Sequence, residues 1–167
     1  HAAGARLIIT DVNADALQAV AARTGAQVVA PDEIFDVEAE VFAPCALGGA
    51  VSAETLPRLK AKVIAGGANN QLADPAVGKT LFDLGLLYAP DYVINGGGII
   101  NVAGEIRALD AGTAYDPAWV EGKLARLMQT LEEVLDRSAA EKRPTHEVAG
   151  EMARERIARG RAAAAAA

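Results

Sequence analysis

Histidine, cysteine and aromatic residues are all scarce in this 167-residue chain, which carries two histidines, one cysteine and only 4% aromatics. A single cysteine, Cys45, excludes an internal disulfide. A catalytic thiol needs a neighbouring base or an electropositive site. The only histidines are His1, at the start of the sequence, and His146, in a charged segment. Cys45 therefore reads as a packing or backbone-contact residue, since free cysteine is among the most buried residue types. His146, following Pro144 and Thr145, reads as a solvated residue in the first turn of a helix. No His, Cys and Asp spacing resembles a metal site. No apolar run reaches the roughly 18 residues that a membrane-spanning helix needs. A net charge of −6, with no Lys/Arg cluster interleaved with aromatics, argues against a nucleic acid or an anionic membrane as partner. These absences together point to a reducing compartment, with the cytoplasm as the default.

What is present is a chain with 51% apolar residues, sized for one domain with one core. Short apolar runs at 6–10, 27–30, 40–44 and 62–66 alternate with helix-compatible segments. Each run is almost wholly apolar, as in parallel strands covered on both faces, so the pattern predicts an α/β fold with a doubly wound parallel sheet. Asp11 or Asn13 starts a helix over 14–23 that Gly25 stops; Ser52 leads one over 53–60; Asp74 and Pro75 open one over 76–84 that Gly85 stops. A longer helix is predicted from Pro117 to about Glu141, with Leu124, Met128, Leu131 and Leu135 on a packing face. Pro144 breaks the chain before a last charged helix over 145–159. Residues 1–5 read as the last turn of a helix capped by Gly4, so the domain is expected to begin upstream of His1. The alanines from Ala162 to Ala167 are expected to be a frayed tail.

In an open parallel sheet, ligands bind beyond the carboxyl ends of the strands. After the first strand come Thr10 and Asp11; after the third, Pro44 to Gly49; after the fourth, Gly66 to Gln71; after the last, Asn95 and the triplet Gly96, Gly97, Gly98. Small residues and amides dominate all but the first of these ends. Three glycines opening an apolar segment imply close approach of backbone or ligand, because glycine in a helix costs about 1 kcal/mol relative to alanine. Asp11 has two open roles. It could cap the helix that follows, or, as an acid at a strand end of a dinucleotide fold, accept hydrogen bonds from an adenosine ribose. The glycine-rich phosphate loop that would accompany the second role falls before His1.

The segments VFAPCALGG (41–49), LKAKVIAGGANNQL (59–72) and LYAPDYVINGGGIINVAGE (87–105) carry a family resemblance. Over about residues 3–160 the chain resembles the NAD-binding domain of the glutamate/leucine/phenylalanine/valine dehydrogenase family, most closely its leucine and valine members. The resemblance implies a Rossmann-like domain over 1–115 that lacks its first strand and glycine-rich loop, helices over 116–160 packing on it, and a tail over 161–167. It further implies NAD as cofactor, with Asp11 on the adenosine ribose and Cys45 and Ala46 along the dinucleotide. Ala68, Asn69 and Asn70 would reach the nicotinamide side, and Asn70 the amino-acid substrate as well. Ile99 and Val102, three apart on one helix face, would line the side-chain pocket and suit an aliphatic substrate; the bland reading of both is core. The implied reaction is reversible oxidative deamination of a branched-chain amino acid to a 2-oxo acid and ammonia. Its catalytic lysine and aspartate belong to a substrate domain absent here, so the segment is expected to be inactive alone and to work within a homo-oligomer of the full-length enzyme. Lys60, Lys62 and Lys79 are expected to be solvated. Gly104 departs from the family pattern, where an acid usually precedes Glu105. Phenylalanine dehydrogenase and a non-catalytic nucleotide-binding module are the alternatives.

Overall fold

The computed structural model describes residues 1–165. Its strands and helices run β1 (Ile8–Ile9), α1 (Ala14–Thr24), β2 (Gln27–Val28), β3 (Val41–Phe42), β4 (Val63–Ile64), α2 (Pro75–Asp83), β5 (Leu87–Tyr88), α3 (Asp91–Ile94), α4 (Gly97–Ala111), α5 (Pro117–Glu141) and α6 (Thr145–Ala165). Every strand pairing is parallel, in the expected α/β arrangement. The strands are shorter than the apolar runs that announce them, and they form two ladders, β1-β2 and β3-β4-β5, rather than one. Among the described residues, β1 and β3 each pair on one side only.

Helix boundaries follow the local chemistry. Asn13, not Asp11, caps α1 by accepting the Ala16 N–H at 3.0 Å, and Gly25 ends it with φ +67°. Asp74 accepts the Ala76 N–H at 2.7 Å, and Pro75 opens α2. The helix expected over 53–60 shrinks to a single 3-10 turn at Leu56–Arg58. Ser52 does bind the Glu54 and Thr55 N–H groups. Pro57, however, has no N–H to donate, and the Thr55 hydroxyl turns away to the Ala50 carbonyl at 2.8 Å. Residues 1–4 form a hydrogen-bonded turn rather than a helix end, with Gly4 at φ +88°. The last helix outruns its predicted end, continuing through Ala165, so the alanines are helical as far as they are described; Ala166 and Ala167 lie outside the described residues.

The main core lies between the three-stranded ladder and α2, built from Val51, Leu56, Ile64, Val77, Leu81 and Tyr88. A second cluster, Val134, Val148, Ala149 and Met152, joins α5 to α6. Leu124 and Met128, expected to pack, are exposed instead; α5 is rotated so that Val120, Val134 and Ser138 are buried. Gly104 lies in the middle of α4, not at its end, and a Cβ there would meet Val120 Cγ2 at 2.7 Å, so an acid at that position has no room against α5. His146 is also not a solvated residue. Its ring is pressed onto Gly78 of α2, its Nδ1 is buried without a partner among the described residues, and burial lowers its pKa. No helix among the described residues is long and apolar enough to cross a membrane.

Candidate functional site

The register of the three-stranded ladder aligns Val41, Val63 and Leu87, so parallel β3, β4 and β5 all release their chains at one edge. Three segments meet there: 43–49 after β3, 65–71 after β4 and 89–98 after β5. Hydrogen bonds tie the first two. The Ala68 N–H donates to the Pro44 carbonyl at 2.9 Å, the Gly49 N–H to the Asn70 carbonyl at 2.7 Å, and the Val51 N–H to the Gln71 carbonyl at 2.9 Å. The Gly67 N–H approaches Cys45 Sγ at 3.4 Å.

Cys45 is thus a backbone-contact residue, as expected, but it is exposed rather than buried. There the chain leaves β3, an edge strand of its ladder among the described residues. Ala46 is exposed beside Cys45. Ala68 is buried and held through its backbone, whereas Asn69 and Asn70 stand exposed.

The third segment is joined by side chains. Asn95 Nδ2 donates to Asn69 Oδ1 at 2.5 Å. The Asn70 N–H donates to Asp91 Oδ2 at 2.5 Å, and Tyr88 donates its O–H to Asp91 Oδ1 at 2.8 Å. Burial pushes the Tyr88 phenol above the usual tyrosine range, which keeps it a donor to Asp91. Gln71 is fully buried, and its Nε2 donates to the carbonyls of Gly66 at 2.6 Å and Ala68 at 3.0 Å. Asn70 has φ +53°, the left-handed region where asparagine is the most tolerated residue after glycine. Its side-chain amide makes no hydrogen bond within the described residues.

The glycine triplet divides its work between packing and openness. A Cβ on Gly96 would touch Leu127 Cδ1 at 2.9 Å, so α5 presses on the backbone at the start of α4. A Cβ on Gly98 would meet nothing within 4 Å. Ile99, next after the triplet, and Val102, three residues on, are 71% and 43% exposed, which removes the reading that they are core.

Asp11 stands apart, on the other ladder, at the carboxyl end of β1. It is exposed and accepts the Asn13 N–H through Oδ1 at 2.8 Å. Asn13 holds the cap, and the Oδ2 of Asp11 accepts no hydrogen bond among the described residues. Lys79 pairs with Asp83 at 2.5 Å and Lys60 with Glu38 at 3.8 Å, while Lys62 is exposed. No group of three or more His, Cys, Asp or Glu among the described residues could hold a metal ion.

Sequence reasoning did not single out Tyr88 or Asp91, which hold the loop from beneath. A tyrosine at a strand end with an acid three residues later, before a helix, is the available signal, but it reads equally as a helix-capping acid. Only the burial of Asp91 separates the two.

Comparison with known proteins points to one family. The family model described as Glutamate/Leucine/Phenylalanine/Valine dehydrogenase matches residues 6–164. Leucine dehydrogenase of Bacillus cereus is 44% identical over 158 residues, covering 95% of this chain and 42% of that protein. Valine dehydrogenase of Streptomyces albus is 40% identical over 164 residues, covering 96% of this chain and 43% of the relative. The crystal structure of L-tryptophan dehydrogenase from Nostoc punctiforme superposes with a TM-score of 0.83 at 35% identity, over 92% of this chain and 45% of that one. The chain therefore spans less than half the length of these relatives.

Proposed function

The chain belongs to the glutamate/leucine/phenylalanine/valine dehydrogenase family, and on that premise we propose that it is the NAD-binding part of a branched-chain L-amino acid dehydrogenase. The observation that carries this reading is the single edge where the segments after β3, β4 and β5 are bonded together through Asn69, Asn70, Asp91 and Asn95. That edge offers exposed amides and small residues and adds little charge, as suits a ligand with its own phosphates and carboxylate.

The residues present fit NAD. The free oxygen of Asp11 can accept from a ribose diol, and its charge opposes a 2′-phosphate, which favours NAD over NADP. Exposed Cys45 and Ala46 leave room for a dinucleotide to lie along the segment after β3. Asn69 and Asn70 face the nicotinamide side, with Ala68 as their buried footing. When bound, NAD supplies the acceptor for the hydride leaving the α-carbon of the amino acid. Asn70 orients the substrate's polar end, while Ile99 and Val102 receive its aliphatic side chain. We place the lysine and aspartate that move protons in a separate substrate domain, and the strand bearing the glycine-rich phosphate loop between the unpaired sides of β1 and β3. In this reading residues 1–115 form the dinucleotide domain and 116–160 pack on it, within a cytoplasmic homo-oligomer.

Steady-state assays test the reading. The intact enzyme should oxidise leucine, valine and isoleucine with NAD far better than with NADP, and this chain alone should turn over none of them. A preference for phenylalanine would move the assignment to that member of the family. Deamination by the isolated chain, or none by the intact protein, would overturn it.

A further inference from the structure

We propose that Asp91 is a positioning residue for Asn70, holding its backbone in the left-handed conformation that leaves its side-chain amide free for the ligand; the functional half of this inference rests on the dehydrogenase reading above. Asp91 is 6% exposed, at the start of the short helix α3, where a carboxylate is poorly solvated unless donors surround it. Both of its oxygens are engaged. Oδ2 takes the Asn70 N–H at 2.5 Å and Oδ1 takes the Tyr88 O–H at 2.8 Å. Tyr88 is itself buried, on the central-core side of β5. The chain of contacts therefore runs from the core, through a phenol and a carboxylate, to one exposed asparagine in a strained conformation.

The strain is what makes the anchor necessary. A non-glycine residue in the left-handed region costs roughly 1 kcal/mol or more unless its surroundings hold it. From the other side, Gly49 donates to the Asn70 carbonyl at 2.7 Å, so the peptide groups flanking the Asn70 α-carbon are gripped at both ends. The neighbouring Asn69 spends its Oδ1 on Asn95, while Gln71 spends its Nε2 on the loop carbonyls and keeps its Oε1 buried, unpartnered among the described residues and away from the exposed edge. Asn70 is exposed, with its N–H and carbonyl both held and its side chain unspent among the described residues, which is the arrangement a ligand-facing amide needs.

The test uses the intact enzyme and two independent readouts. Native-state amide exchange reads the anchor itself: in Asp91→Asn the Asn70 N–H should exchange about 10- to 100-fold faster than in the parent, the range for losing a buried hydrogen bond to a charged group. Kinetics read the consequence. Asp91→Asn should lower kcat/KM for the amino acid by about 10-fold or more in the parent, yet change it less than about 2-fold when Asn70→Ala is already present. A residue acting through general stability would reduce both backgrounds alike. Tyr88→Phe, which removes one donor and leaves the carboxylate in place, should move both readouts in the same direction by less, and it decides the matter if Asp91→Asn does not fold. Unchanged Asn70 exchange, or equal kinetic losses with and without the Asn70 side chain, would overturn the proposal. If the intact parent oxidises no amino acid, the dehydrogenase reading fails, and amide exchange alone still decides whether Asp91 anchors Asn70.

Discussion

A side-chain carbon on Gly66 would sit 2.1 Å from the Pro44 carbonyl oxygen and 2.4 Å from the Pro44 nitrogen, so the chains leaving β3 and β4 are in backbone contact there. The same Pro44 carbonyl accepts the Ala68 N–H, and the Gly66 carbonyl accepts from buried Gln71. Backbone cannot yield as a flexible side chain can. Gly66→Ala is therefore expected to lower unfolding stability by about 3 kcal/mol or more, at the upper end for overpacking substitutions. Urea unfolding measures it, and a loss below about 0.5 kcal/mol, ordinary for a surface site, would show that the two chains can separate.

Gly104 and Val120 form a second close contact, this one between helices. Gly104→Ala gains about 1 kcal/mol in helix propensity but drives a methyl into buried Val120, for a net loss of roughly 1 to 2 kcal/mol. Val120→Ala alone removes about two buried carbons, or ~1.6 kcal/mol. Combined, the two changes should be less damaging than their sum by at least about 0.5 kcal/mol, because the second makes room for the first. Strict additivity in a double-mutant cycle would mean that α4 and α5 do not press together here.

Much of this fold is readable in the sequence because its signals are local. Caps and breakers at Asn13, Gly25, Asp74, Pro75 and Pro117 place α1, α2 and α5 within a residue or two. The segment after Ser52 misled because its capping chemistry is real while Pro57 removes the donor that would extend it. What stayed hidden depends on contacts far apart in sequence. The rotation of α5 that exposes Leu124 and Met128 follows from how Val134 meets Val148 and Met152, and periodicity along one helix carries no information about a partner. Within the site, Asn70 and the glycine triplet were visible as unusual local chemistry. The carboxylate of Asp91 was not, because an acid before a helix looks the same whether it is buried or solvated.

His146 should make stability depend on pH. Its Nδ1 is buried against α2 without a partner among the described residues, and burial lowers its pKa from the ordinary value near 6.5, an effect that nearby Glu147 only partly opposes. The unfolded chain then binds the proton more readily than the folded one. The histidine's contribution is complete above the unfolded pKa and is lost as pH falls below it toward the folded pKa. Urea midpoints followed from about pH 8 down to about pH 5 should fall more steeply in the parent than in His146→Gln. Parallel profiles would show that the ring is hydrated and titrates as in the unfolded chain.

Ile99 and Val102 separate a role in packing from a role in recognition. At 71% and 43% exposed, they stabilise the folded chain little, so Ile99→Ala and Val102→Ala should each change unfolding stability by no more than about 0.5 kcal/mol. If they receive the substrate's side chain, the same truncations should alter discrimination among leucine, valine and phenylalanine in kcat/KM by about 10-fold or more, since a methylene at an apolar wall is worth roughly 1 to 3 kcal/mol. They share one face three residues apart beside open Gly98, so Val102→Ala should enlarge the same pocket as Ile99→Ala and relax selectivity toward bulkier side chains. Kinetics of the intact enzyme on the three amino acids, run beside urea unfolding of each variant, distinguish the roles. Large stability losses with unchanged discrimination would return both residues to the core and leave the pocket without its aliphatic wall.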